Sequence, residues 1–233
     1  MNFGEQFLWV IYPYVALTIF IVGHIYRYNT DQLGWTARSS ELLEKKSLQW
    51  GSLLFHGGIL AVVGGHVSGL LIPKAWFEAI GVTEHMYHMA AVYGGGPAGL
   101  LTLAGILILT LRRFGNDRVY AASSLADFVV VVLVLAEVIL GLASTATNVF
   151  GSTGFDYRAT IAPWFRGLLF LQPDAHFMHS VPLFFKMHVL MGFAIFAVWP
   201  FTRLVHVWSM PIEYINRPYI HYVSRKVKGK SIH

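Results

Sequence analysis

Long apolar runs alternate with short polar breaks along the whole chain, and the runs fall at about residues 7–26, 48–71, 89–111, 125–147 and 182–208. Each is long enough to cross the hydrocarbon core of a bilayer. In lipid, backbone groups must be satisfied within the segment, so the pattern predicts an all-α fold: one polytopic membrane bundle of five transmembrane helices. Pro13 falls inside the first run, where its missing N–H kinks or starts a helix. Trp9, Tyr12 and Tyr14 suit the membrane interface there. The preceding MNFGEQ lacks the basic region of a signal peptide and no small-residue cleavage site follows, so the first run reads as a retained span.

The polar breaks differ in charge. The segment RYNTDQLGWTARSSELLEKK, the cluster Arg112, Arg113 and Arg118, and the tail with RKVKGK carry most of the cations. The alternate segments, Ile72 to His88 and Asn148 to Val181, carry few. Of the 17 Lys and Arg, all but Lys74, Arg158, Arg166 and Lys186 fall on one side. The positive-inside bias then places the N-terminus outside and the C-terminus in the cytoplasm, in a plasma membrane. The net charge of +5 belongs to membrane edges, and no nucleic-acid partner is expected.

Two runs carry paired histidines. His188 and His206 lie eighteen residues apart in the fifth, which on a continuous helix is five turns, one face and about 27 Å. His56 and His66 lie ten apart in the second, about 15 Å and about 80° in phase. The two spans run in opposite directions, so depth matches His56 with His206 and His66 with His188. Helix tilt and oblique seating must absorb the unequal separations. Ionisable side chains at membrane depth face the bundle interior and mark function, and bis-histidine ligation of two b-type haems would satisfy all four. With no cysteine, the chain holds no iron–sulfur cluster, Cys-type zinc site or thioether-linked haem.

Several other residues bear on that chemistry. Gly57, Gly58, Gly64, Gly65 and Gly69 thin the second span, for helix packing or for the edge of a macrocycle. Glu137, alone in the fourth run, needs a proton or a partner. Arg112, Arg113 and Arg203 are candidate partners for the propionates of an inner haem, and Lys186 for an outer one, beside their ordinary use as membrane-edge anchors. His24, His176, His179, His221 and His233 have no depth-matched partner and read as surface or interfacial. A histidine-based metal transporter is the competing class, but it would want carboxylate ligands and broken helices near the midplane. A haem-free anchor would leave the four histidines unexplained.

The motifs IYPY (Ile11 to Tyr14), FHGGILAVVGGH (Phe55 to His66) and KMHVLMGFAIFAVWPFTRLVHVWSMPIEYI near the C-terminus give the chain a resemblance, over nearly its whole length, to the gamma subunit of respiratory nitrate reductase. The resemblance implies a di-haem cytochrome b with His66 and His188 at a distal haem and His56 and His206 at a proximal one. It further implies quinol oxidation near the outer haem and electron delivery to cytoplasmic iron–sulfur and molybdenum subunits that reduce nitrate. The inner loops and tail would dock the iron–sulfur subunit. Where the family often carries a lysine near its quinol pocket, this chain reads Glu84, His85, Met86, Tyr87, His88. Gly65, Glu84, His85 and His88 are therefore its candidate pocket residues. A related di-haem quinol oxidoreductase subunit of a sulfur-metabolism complex is the alternative within the same class.

Overall fold

The computed structural model describes residues 2–32, 34–35, 40–151 and 155–209, so Arg38, the RKVKGK tail, His221 and His233 lie outside the described residues. Five helices are long and apolar enough to cross a membrane: Phe3–Thr30, Lys46–Leu71, Glu84–Gly115, Leu125–Phe150 and Leu183–Phe201. Among the described residues there is no strand. The all-α, five-span expectation holds. The helices start where side chains can cap them: Asn2 accepts from the Gly4 N–H, Thr83 from Met86, and Ser124 forms a reciprocal capping box with Asp127.

Neighbouring spans meet through small residues. The second lies so close to the third that a Cβ on Gly105 would fall 2.3 Å from the Phe55 backbone nitrogen. Gly99 receives Leu142 between the third and fourth spans, and Gly23 receives Pro200 between the first and fifth. The spans therefore follow one another as second, third, fourth, fifth, first. The second and fifth share almost no close backbone packing.

Proline explains two local departures. Pro13 has no N–H to give to the Trp9 carbonyl, and the turn before it, Phe7–Ile11, is π-helical. The orphaned Trp9 carbonyl accepts instead from the buried Trp164 indole at 2.8 Å. Trp164 comes from Ile161–Leu169, a short helix between the fourth and fifth spans that folds back into the bundle. Trp9, Ile161, Trp164, Leu168, Met178 and Phe193 form the buried apolar core at that end.

Pro200 has a larger effect and corrects one expectation. The fifth run was expected to be one continuous helix over 182–208, but its α-helix, Leu183–Val198, gives way to 3₁₀ turns at Trp199–Phe201 and Arg203–Ser209. His206 thus lies beyond a break. The straight spacing of about 27 Å from His188, which rested on one continuous helix, does not apply. Arg27 holds the broken end, donating to the carbonyls of Pro200 and Thr202 at 2.7 and 2.8 Å.

Candidate functional site

The four intramembrane histidines meet in the space between the second and fifth spans. The ring centroids of His56 and His206 are 6.0 Å apart, and those of His66 and His188 are 5.9 Å apart. Two metal–imidazole bonds of about 2 Å, laid end to end with the ring radii added, would put the centroids about 6 Å apart. Both pairs have the span of two axial ligands on one metal.

Each ring is also turned for coordination. His56 Nδ1 lies 2.8 Å from the Ser52 carbonyl, His66 Nδ1 2.8 Å from that of Val62, and His206 Nδ1 2.7 Å from that of Arg203. A carbonyl can only accept, so Nδ1 carries the proton and Nε2 keeps the coordinating lone pair. His188 differs, for its Nδ1 stands 3.1 Å from the Glu137 carboxylate. The partner that a buried Glu137 requires is therefore a histidine of the site.

The glycines of the second span divide into two uses. Gly51 and Gly58 pack against the third span, where a Cβ would run into Leu109, Thr102 and the Ala98 carbonyl. At Gly57, Gly64 and Gly65 a Cβ would meet nothing within 4 Å. These three leave the helix surface open next in sequence to His56 and His66, and the donor set suits a bis-histidine haem. No group of three or more His, Cys, Asp or Glu converges among the described residues, which is the arrangement a transport site for a bare metal ion would use.

The other candidates are placed unevenly. Arg112 is committed to the loop before the second span: its Nε pairs with Glu44 Oε2 at 2.7 Å, and its Nη atoms reach Ser40 and the Glu44 carbonyl. Arg203, whose carbonyl faces His206, lies 3.5 Å from Asp127, which also stands 3.8 Å from Arg113. Lys186 donates to the His179 carbonyl. His85 and His88 are exposed at the start of the third span, and Glu84 pairs with Lys74. His24 contributes to an aromatic contact with Phe20, Trp35 and Trp208, accepting at Nε2 from the Trp208 indole. His179 lies 3.0 Å from Glu5, and His176 is exposed.

Residues that sequence reasoning passed over stand at the His66 end. Ser68 donates to the Gly65 carbonyl at 2.9 Å and lies 3.4 Å from the Tyr87 hydroxyl, which is 3.4 Å from that of Tyr157. The Arg158 guanidinium stacks 3.8 Å over the Tyr87 ring. Burial pushes the Tyr157 hydroxyl pKa upward, so it stays a neutral donor. The available signal was Gly69, where a Cβ would lie 3.0 Å from the Tyr87 oxygen.

Comparison with known proteins gives the family of the chain. The family model for the nitrate reductase gamma subunit matches residues 5–225. The nitrate reductase gamma chain of Bacillus subtilis is 53% identical over 94% of this chain and 98% of its own length. This chain belongs to the nitrate reductase gamma subunit family. The respiratory nitrate reductase 1 gamma chain of Escherichia coli is 34% identical over 94% of this chain and 97% of its own. The nitrate reductase-like protein NarX of Mycobacterium tuberculosis is 46% identical over 96% of this chain but only 34% of its own length. The gamma subunit is thus the multi-pass membrane subunit of a nitrate reductase, an oxidoreductase complex.

Proposed function

We propose that this chain is the di-haem cytochrome b of its complex, oxidising quinol near the outer end and passing electrons inward to cytoplasmic iron–sulfur and molybdenum subunits. The observation that carries the reading is the double pair: four histidines meeting two by two between spans that share almost no close packing, about 6 Å apart, with a carbonyl acceptor at three of the Nδ1 atoms and the Glu137 carboxylate 3.1 Å from the fourth. His66 and His188 would hold the distal haem, and His56 and His206 the proximal one. Bound there, haem supplies one-electron transfer at a potential set by its ligands and their surroundings.

The chain's own residues divide the remaining work. Lys45, Lys46, Arg112 and Arg113 mark the end of the second and third spans nearer His56, which favours an N-terminus outside, a C-terminus in the cytoplasm and a plasma-membrane location. The inner loops at that end, with the tail beyond the described residues, offer the dock for the iron–sulfur subunit. Arg203 can face a propionate of the proximal haem from beside His206, whereas Arg112 serves the loop. At the outer end the hydroxyls of Ser68, Tyr87 and Tyr157 join Gly65, His85 and His88 as hydrogen-bonding groups for a quinol head. Electrons then move inward while protons leave outside, each charge worth about 2.3 kcal/mol per 100 mV of potential.

Pyridine haemochrome analysis of the purified complex tests the reading. It should return two non-covalent b haems for this chain, and His66→Tyr should abolish quinol-driven reduction of the haem that remains. One haem in wild type, or native-rate reduction in the variant, overturns the scheme.

A further inference from the structure

The fourth and fifth spans interlock through two pairs of residues. Glu137 and Gly141 are one helical turn apart on the fourth span, and His188 and Gly192 one turn apart on the fifth. A Cβ on Gly141 would fall 3.1 Å from His188 Cε1, and a Cβ on Gly192 would fall 3.1 Å from Glu137 Oε1. Each glycine therefore receives the polar side chain of the facing helix. Imidazole and carboxylate meet between them at 3.1 Å, with the N–H turned off the line to the oxygen. Neither His188 Nδ1 nor Glu137 Oε2 has a hydrogen-bond partner, although both atoms are buried. Placing a carboxylate in the most apolar of the five spans is costly. Two glycines shaped to admit it mark a built arrangement.

We propose that Glu137 is a positioning residue for the outer histidine pair, fixing the ring and tautomer of His188 and lowering the midpoint potential of the distal haem. The proposal rests on haem ligation by the four histidines. Ligation through Nε2 requires the proton on Nδ1, which makes the nearby Oε1 its acceptor. His56, His66 and His206 present Nδ1 to neutral main-chain carbonyls, whereas the Nδ1 of His188 lies beside an acidic side chain. An anionic acceptor makes the imidazole a stronger donor to iron and favours the oxidised state, which carries one more positive charge. The effect is confined to one of two otherwise similar sites.

The test uses the membrane-bound complex with both haems. Glu137→Gln keeps the shape and an acceptor oxygen but removes the charge, so redox titration should show one midpoint potential moving upward and the other unmoved. The low-spin electron paramagnetic resonance signal of that same haem should shift. Glu137→Leu removes the acceptor and should weaken retention of that haem by about 10- to 100-fold. If Glu137→Leu does not accumulate, Glu137→Gln alone decides. Two haems with unchanged potentials and spectra in Glu137→Gln, or a shift in the proximal haem only, overturn the proposal. A wild-type complex without haem overturns the proposed function instead.

Discussion

The His66 and His56 halves of this bundle, outer and inner in the proposed orientation, solve the same problem, holding two imidazoles about 6 Å apart, by different means. At the outer pair His188 projects from within an α-helix and His66 from the last α-helical residue before the π-helical turn Val67–Leu71, and an aromatic core around Trp9, Trp164 and Phe193 fixes the helices. At the inner pair His206 stands on a 3₁₀ segment beyond Pro200, tied down by charged side chains: Arg27 on the Pro200 and Thr202 carbonyls, and Asp127 near Arg203. Packing of rigid helices sets the first geometry, and directional polar contacts set the second. The two sites should therefore fail separately and under different insults.

The sharpest break is at the ligands. His66→Ala or His188→Ala should each remove the same single haem, and His56→Ala or His206→Ala the other, as read by haemochrome yield and redox titration. Pairing of His56 with His188 in such a series would end the assignment. Next in size is Gly105→Val. The Cβ position there is 2.3 Å from the Phe55 backbone nitrogen, so the second and third spans must separate at a cost of about 3 kcal/mol or more. Because the second span carries a ligand of each pair, both haem signals should fall together, measured per unit of chain in the membrane. Loss of one signal alone would show that the second span is not the shared wall.

Arg27→Met discriminates between the halves. It removes three hydrogen bonds from a guanidinium to the Pro200, Thr202 and Gly34 carbonyls. Bonds to charged groups contribute about 1.5–3 kcal/mol each, less where solvent can substitute. The expected outcome is partial loss of the proximal haem with the distal one retained, seen as a changed amplitude ratio in an optical redox titration. Equal loss at both sites would mean that Arg27 supports the whole bundle and not the broken end of the fifth span in particular.

The same contrast explains what the amino-acid order revealed. Five apolar runs of about twenty residues predict five helices because lipid requires each segment to satisfy its own backbone, and the opposite directions of the two spans alone match His56 to His206 and His66 to His188. Both inferences use only local pattern and topology. Pro200 was visible too, but its effect depends on Arg27, 173 positions away, being ready to take the freed carbonyls. Likewise Pro13 announces an orphaned carbonyl at Trp9, yet nothing local points to Trp164 as the donor. Ser68, Tyr87, Tyr157 and Arg158 come together only through tertiary folding of the outer loops. Arg112 looked like a membrane-edge or propionate cation, and only the folded loop shows it spent on Ser40 and Glu44.

That loop contact gives the smallest expected effect and a pH dependence whose sign is fixed. The Ser47 backbone N–H, followed by the Arg112 guanidinium, holds the Glu44 carboxyl below its ordinary value of 4.5. A depressed carboxylate stabilises the folded loop at pH values above its unfolded pKa, and the contribution disappears as pH falls through its own lower value. At neutral pH the inner loop over residues 40–46 should therefore be closed. Below about pH 4.5 it should begin to open, while the apolar side chains around Trp164 and Leu168, which include no carboxylate, should respond less. Amide hydrogen exchange across 40–46, compared with exchange at Trp164 and Leu168, measures the difference directly. Glu44→Gln should raise exchange in the loop at neutral pH and flatten its acid response, with both haem spectra unchanged. An acid response that persists in Glu44→Gln would assign the loop's pH dependence to another group and leave Arg112 only its contacts with Ser40 and the Glu44 carbonyl as an anchor.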